Sequence, residues 1–225
     1  MTILRPLIAP DPRLAAGFTT RAFAAMDEPL DAVRTRLAAQ EGFAHVASVG
    51  QVHGADVVTV SAGGHTPEHD GLVTRTPGVL LTVLSADCAL VLLADVSAGV
   101  VGACHSGWRG TVAGVVGRTV EAMQHLGAER ITAAIGPCIS AEAFETGEEV
   151  AAQFPESSVV RRPEWPRPHV DLRADIARQL TEAGVDAVDV SAECRVRSVV
   201  RFFSYRAEVG QTGRMLGFVG LRDAG

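Results

Sequence analysis

Three side chains in the sequence have the chemistry of metal ligands, and each stands at the end of an apolar, strand-like run. They are His53 in QVHG, Cys88 in SADC and His105 in ACHSGWRG. Two imidazoles and one thiolate suit zinc, and three protein ligands leave a fourth position for water or substrate, as in catalytic zinc sites. The residue types fit equally well a hydrogen-bonded histidine and a small core cysteine, so both interpretations stay open at this point.

Charged residues beside these three are candidates for proton transfer and anion binding. Asp87 directly precedes Cys88 and is the nearest carboxylate that could move a proton. Arg109, four residues after His105, offers a bidentate fork for phosphate. Glycines on either side of it stand at the predicted start of a helix, where backbone N–H groups favour anions. Alternatively, Asp87 caps a turn instead of moving a proton, and Arg109 belongs to a structural ion pair instead of binding phosphate.

Strands with interleaved helices must position these residues. Continuous apolar runs at 79–84, 89–94 and 99–104 favour strands that are covered on both faces. Apolar spacing and capping residues predict helices over 29–42, 111–126, 141–154 and 171–184. Because several strands are consecutive, a mixed sheet is favoured over a strictly parallel one. The sequence therefore predicts a single α+β domain over residues 1–225, with mixed β-sheets flanked by helices.

The composition is that of an ordinary globular protein. Hydrophobic residues make up 47% and charged residues 20%, and the net charge of −6 includes no basic block, so nucleic acid is not an expected partner. The start lacks a signal-peptide pattern and the apolar runs are too short to cross a bilayer, so we expect a cytoplasmic protein without a membrane partner. The four cysteines lack CxxC spacing and are expected to be core residues or ligands, not disulfides.

Five sequence blocks together resemble the YfiH family. The blocks are QVHGADVV, SADCALVLLAD, ACHSGWRGTVAGVV, AAIGPCIS and FFSYRAEVGQTGRM, and the match runs from about Phe18 to Leu221. Members of that family have been called laccase-domain proteins or multicopper polyphenol oxidases, purine nucleoside phosphorylases and peptidoglycan editing factors. The resemblance implies that His53, Cys88 and His105 bind zinc. It also implies phosphorolysis of adenosine, inosine or guanosine, with adenosine deamination as a further activity.

Three further residues are candidates for substrate binding. Arg34 and Arg21 rank behind Arg109 as phosphate ligands, and Gln51 is a candidate for binding the substrate or only the backbone. The chain departs from the family pattern at four places. The loop after FTTR is short, and Arg34 lacks its usual Asn neighbour. The family's Cys-Tyr-Glu is replaced by AFET, and its Cys-Thr pair by Cys194-Arg195. Four further residues match family blocks without an assigned role: Tyr205, Arg206, Thr212 and Arg214.

Three other functions use the same residues. A copper polyphenol oxidase is disfavoured, because the chain's 7 histidines include no His-x-His pair and the next methionine after Cys88 is Met123. A cysteine hydrolase, acting on a peptidoglycan precursor, would use Cys88 as nucleophile and His53 or His105 as base. A binding module would hold a structural metal. The resemblance, together with the three candidate ligands, therefore implies a zinc-dependent purine nucleoside phosphorylase, a transferase whose partners are purine nucleosides and phosphate.

Overall fold

Two six-stranded sheets pack face to face in the computed structural model, which describes residues 2–8 and 10–223. The strands are β1 (Ile3–Leu4), β2 (Leu14–Thr19), β3 (His45–Val49), β4 (Val57–Thr59), β5 (Gly64–Thr66), β6 (Gly71–Thr74), β7 (Val79–Ser85), β8 (Ala89–Asp95), β9 (Val100–Ser106), β10 (Thr132–Ile135), β11 (Val159–Val160), β12 (His169–Val170), β13 (Ala187–Val190) and β14 (Met215–Leu221). The first sheet has the order β1-β2-β14-β7-β3-β5 and the second β13-β10-β8-β9-β6-β4, while β11 pairs with β12. Both large sheets mix parallel and antiparallel pairs.

Helices cover the outer faces of this sandwich. They are α1 (Leu30–Glu41), α2 (Trp108–Val112), α3 (Val115–His125), α4 (Glu148–Ala151) and α5 (Leu172–Glu182). Helix α1 packs on the first sheet, and α3 and α5 pack on the second. None of the helices within residues 2–8 and 10–223 combines the length and the apolar character needed to span a bilayer. The mixed sheets and few helices confirm the predicted α+β fold class.

The continuous apolar runs arise because each large sheet has a hydrophobic core on both faces. In β8, Leu90 and Leu92 face the first sheet, while Val91 and Leu93 face α3 and α5. All four side chains are completely buried. Since side chains alternate between the two faces of a strand, a strand that is covered on both faces lacks the alternating solvent-facing positions of a half-exposed strand. The prediction of doubly covered strands is therefore confirmed.

Two of the four predicted helices differ from the structure. The helix expected over 111–126 is divided into α2 and α3, because Gly114 adopts a left-handed conformation (φ 80°) between them. The helix expected over 141–154 is wrong for most of its length. Phe144 and Thr146 there pair through their backbones with the segment 168–170, so that only a 3-10 turn at Ala141–Ala143 and the short α4 are helical.

Three successive connections cross from the first sheet to the second at one end of the sandwich. They are the loop 50–56 between β3 and β4, the loop 67–70 between β5 and β6, and the turn 86–88 between β7 and β8. Because β3 is parallel to both β5 and β7, the carboxyl ends of these strands meet at the same edge. Strand β9 runs antiparallel to β6 and β8, so its carboxyl end reaches this edge as well.

At the far end of β8, a buried carboxylate secures the turns of the second sheet. Asp95 accepts hydrogen bonds from the backbone N–H groups of Ala98, Glu129 and Arg130 and from the hydroxyl of Ser97, at 2.8–3.0 Å. Burial alone raises the pKa of Asp95, but these donors outweigh it and hold the pKa at about 2.

We therefore expect Asp95→Asn to lower the free energy of unfolding by roughly 2–3 kcal/mol at pH 7, the value of a carboxyl pKa near 2 against about 3.9 in the unfolded chain. Because the folded pKa is depressed, this contribution is present above pH ~4 and is lost as the pH falls towards ~2. Urea unfolding of both proteins at pH 7 and pH 3 measures it. A difference that stayed constant between the two pH values would contradict this account.

Candidate metal centre

The three predicted ligands converge where the sheet-crossing connections meet. His53 lies in the loop 50–56, Cys88 ends the turn 86–88, and His105 is near the carboxyl end of β9. One potential ligand atom from each residue lies within 4.8 Å of the other two, the only such group of metal-binding side chains in the described part of the chain. The imidazole rings of His53 and His105 meet edge to face, with centroids 4.8 Å apart. His105 is buried, Cys88 is half-buried and His53 is exposed, so the group opens to solvent on one side.

A completely buried carboxylate, Asp70, lies behind His105. The Nδ1 atom of His105 is 2.8 Å from Oδ1 of Asp70, and the backbone N–H of His105 donates to the carbonyl of Asp70. An acceptor on Nδ1 places a proton there and leaves Nε2 with its lone pair for a metal. Sequence analysis missed Asp70: its only signal was its place in the polar loop GGHTPEHDG.

Asp70 also holds the loop that carries His53. Its carboxylate accepts hydrogen bonds from three successive backbone N–H groups, those of Val52 (3.0 Å), His53 (3.1 Å) and Gly54 (2.7 Å). His53 itself adopts a left-handed backbone conformation, with φ 61°. Such a conformation is uncommon for a residue with a side chain and persists where surrounding contacts fix it.

The thiol of Cys88 is poised to ionise. Burial raises its pKa, but hydrogen bonds and charge interactions with His105 and His53 lower it more, to about 6. A thiolate is therefore available at neutral pH, and the thiolate is the form that binds metals or acts as a nucleophile. On the other side, burial lowers the pKa of His105, and Asp70 and Cys88 together raise it to about 9. Cys88 and His105 thus share a proton in a hydrogen bond, and a metal ion bound between them would replace that proton.

Gly107 leaves room for an ion beside the three ligands. A Cβ atom at this position would lie 2.9 Å from Sγ of Cys88 and 3.2 Å from Nδ1 of His53. The missing side chain thus keeps open a space bounded by two ligand atoms. With its donor set of two imidazoles and a thiolate, this cradle fits zinc.

Asp87, the predicted proton carrier, lies beside this cradle in a strained conformation. Its φ is 105°, which is unusual for a residue other than glycine. Oδ2 accepts a hydrogen bond from the backbone N–H of Arg206 at 2.7 Å, while Oδ1 is buried without a hydrogen-bond partner in the described structure. An unpaired buried carboxylate oxygen is costly, so it marks a position where an incoming donor would be stabilised.

The residue following Cys194 proves to be a buried cation below the same turn. Arg195 is completely buried and donates to the carbonyl of Pro137 at 2.6 Å and to the carbonyl of Ser85 at 2.8 Å. The hydroxyl of Ser85 in turn donates to the carbonyl of Cys88 at 2.6 Å. Burial lowers the pKa of Arg195 to about 10, and it stays charged at neutral pH. Sequence analysis noted Arg195 only as a departure from the family pattern and gave it no role.

The predicted substrate residues have different surroundings. Arg109 is exposed, with its guanidinium stacked 4.3 Å from the ring centre of Trp108. Both amide atoms of Gln51 are bonded to the backbone of Leu84, which ties the His53 loop to the end of β7. Arg34 is buried on α1 and pairs with Asp31 at 3.1 Å.

Arg21 contacts the loop that contains Arg206. It forms an ion pair with Glu208 and stacks on the ring of Phe203. Glu208 also accepts hydrogen bonds from the backbone N–H of Ser204 and the hydroxyl of Thr212, so Arg21 is part of the network that holds this loop. Of the three predicted phosphate ligands, Arg109 is the one whose side chain is exposed, and it follows His105 by four residues in the chain.

Several known proteins are similar to this chain in sequence or in fold. Residues 21–222 match the family described as multi-copper polyphenol oxidoreductase laccase. A purine nucleoside phosphorylase of Deinococcus radiodurans is 44% identical over 96% of this chain and 93% of its own length. The adenosine deaminase RL5, from an unknown prokaryotic organism, is 40% identical over 64% of this chain and 59% of its own. The crystal structure of YlmD from Geobacillus stearothermophilus superposes with a TM-score of 0.87 and 33% identity, covering 99% of this chain and 97% of YlmD. The chain therefore belongs to this laccase-like family, the YfiH family that its five sequence blocks resemble.

Proposed function

We propose that the protein is a zinc-dependent purine nucleoside phosphorylase that works in the cytoplasm. The observation that carries this proposal is the convergence of His53, Cys88 and His105 around the space that Gly107 leaves open. The 44% identical relative with the same activity in its name supports the substrate class. All four cysteines are free, which fits a reducing compartment.

We favour zinc over the copper that the family description names, because the methionine that sequence analysis considered as an axial copper ligand lies elsewhere. A blue-copper site adds an axial methionine to two histidines and a cysteine. Met123 packs against Gly102, on the face of β9 that carries Cys104 and not His105. It therefore projects from α3 into the core, on the face of β9 opposite to His105.

Phosphorolysis breaks the bond between the sugar C1′ and the purine N9 and forms a bond from C1′ to a phosphate oxygen. The purine leaves with the electron pair and takes up a proton. His53, Cys88 and His105 would hold a zinc ion, which would supply a Lewis acid when bound. We assign the proton to Asp87, whose unpaired Oδ1 can accept or deliver it at a buried position. We assign the phosphate to Arg109, whose exposed guanidinium offers parallel N–H donors.

Incubation of the zinc-loaded protein with adenosine and with inosine, each with and without phosphate, tests the proposal. We expect release of adenine and hypoxanthine only when phosphate is present, together with a ribose phosphate. Chromatography of the products measures this, and protein treated with a chelator is the control. No base release from either nucleoside would contradict the proposed function.

The same incubation separates the alternatives. Adenosine deamination, favoured by the resemblance to the RL5 deaminase, would convert adenosine to inosine without phosphate. The Cys88 thiolate beside two imidazoles also fits a cysteine nucleophile. Activity that survives complete removal of the metal would favour that cysteine hydrolase over the zinc enzyme. Stoichiometric copper with oxidation of phenols would favour the oxidase.

A further inference from the structure

Asp70 contacts both histidines of the metal centre, although it is not itself one of the ligands. We propose that Asp70 is the positioning residue that sets the tautomer of His105 and the backbone conformation of His53 for metal binding. The inference rests on the metal centre of the proposed function, but not on the reaction that takes place there.

The first step concerns His105. Oδ1 of Asp70 lies 2.8 Å from Nδ1 of His105, and both side chains are buried, so water does not compete for this hydrogen bond. A neutral imidazole carries one proton, and the carboxylate, which only accepts, requires that proton on Nδ1. Nε2 is then the free donor atom. Carboxylates in this position orient the ring and raise the basicity of the ligating nitrogen.

The second step concerns His53. The N–H groups of Val52, His53 and Gly54 all point at the same carboxylate, which satisfies three backbone donors at once. Three successive N–H groups converge in this way only when the chain turns sharply, and the left-handed φ of His53 provides that turn. The carboxylate therefore compensates the strain at His53 and directs its side chain towards Cys88.

The pattern of acceptors makes asparagine a sharp probe. Oδ2 accepts from Val52 and Gly54, and Oδ1 accepts from His53 and His105. An amide NH₂ in place of Oδ2 would face the backbone N–H groups of Val52 and Gly54, so that donors would oppose donors. In place of Oδ1 it would meet one N–H and could donate to Nδ1 of His105, which would move the imidazole proton to Nε2 and block the ligand atom. One orientation of the amide therefore disturbs the loop that carries His53, and the other disturbs both His53 and His105.

The experiment compares Asp70→Asn with Asp95→Asn in the purified full chain. Both aspartates are buried and accept hydrogen bonds from several backbone N–H groups. Asp95, however, is at the end of β8 that lies away from the metal centre. Zinc affinity is measured by competition with a chelator, and urea unfolding of the metal-free proteins measures stability. We expect Asp70→Asn to weaken zinc binding by about 10–100-fold. Asp95→Asn should keep the wild-type affinity while it loses stability.

Two outcomes would overturn the inference. One is wild-type zinc affinity in Asp70→Asn, and the other is an equal loss of affinity in both variants, which would indicate a general effect of destabilisation. Absence of zinc binding by the wild-type protein would instead remove the metal centre, and with it the proposed function.

A second measurement covers the case in which Asp70→Asn fails to fold. Long-range ¹H–¹⁵N spectra of the zinc-loaded wild-type protein report which imidazole nitrogens carry protons. We expect a slowly exchanging proton on Nδ1 of His105, with Nε2 bound to the metal. A proton on Nε2, or zinc on Nδ1, would overturn the inference without the use of any variant.

Discussion

Cys88→Ala is expected to yield a folded protein that retains neither zinc nor phosphorolysis. The substitution removes the one thiolate of the metal centre, whose pKa of about 6 makes it an anion at neutral pH. The remaining imidazoles of His53 and His105 carry no negative charge. We expect a loss of zinc affinity and of kcat/KM of more than about 100-fold, because replacing even an outer-shell partner costs about 10–100-fold. Metal analysis after dialysis and the phosphate-dependent release of base measure the two effects.

Cys104→Ala is the matched control for this variant. Cys104 precedes His105 on β9 but faces α3, and burial raises the pKa of its thiol to about 12, so it stays protonated. Its replacement should cost about 1 kcal/mol of stability through a small cavity and leave the metal in place. If Cys88→Ala instead kept stoichiometric zinc but lost activity, Cys88 would be a nucleophile and the zinc mechanism would be wrong.

Gly107→Ala is expected to remove the metal while it leaves all three ligands in the chain. The backbone of Gly107 has φ −74° and ψ 171°, which alanine adopts without strain. The added Cβ, however, would lie 2.9 Å from Sγ of Cys88 and 3.2 Å from Nδ1 of His53, in the space for the ion. The neighbouring ligands must move apart, and we expect zinc affinity to fall by more than about 100-fold, beyond the loss of an outer-shell partner.

Gly117→Ala provides the comparison. A Cβ at Gly117, inside α3, has no heavy atom within 4 Å in the described structure outside its own helix and chain neighbours. Alanine there should raise the free energy of unfolding by about 0.5–1 kcal/mol and leave zinc binding unchanged. Unchanged zinc affinity in Gly107→Ala would show that the ion does not occupy the space beside this glycine.

The grouping of His53, Cys88 and His105 was expected from their chemistry and their places near strand ends, but those local properties also fit a hydrogen-bonded histidine and a core cysteine, and the resemblance to the YfiH family singled the three out. The role of Asp70 could not be predicted from the sequence. Its partner His105 is 35 residues away, and the loop HTPEHDG has no pattern that distinguishes this aspartate from a solvated one. Only the packing of loop 67–70 beneath loop 50–56 shows that its carboxylate faces inward.

The helices and strands could be predicted from the sequence in the segments where the hydrophobic pattern and the observed backbone conformation agree. Helix α1 has its cap at Gly42 (φ 81°) close to the expected end, and the three apolar runs are strands. The helix predicted over 141–154 is wrong. Its residues have good helix propensity, but backbone pairing with residues 168–170 outweighs that propensity. Such pairing between distant segments leaves no trace in a local pattern.

The sheet-crossing connections have a consequence for how the protein matures. Cys88 and His105 come together through the pairing of β8 with β9 within the second sheet, whereas His53 joins them from the loop 50–56, which links the two sheets. Such distant pairings form late in folding, since the entropy of closing long loops must be overcome before their contacts form. We therefore expect metal binding to follow folding, and an ion held by His53, Cys88 and His105 would link the two layers at this end of the sandwich.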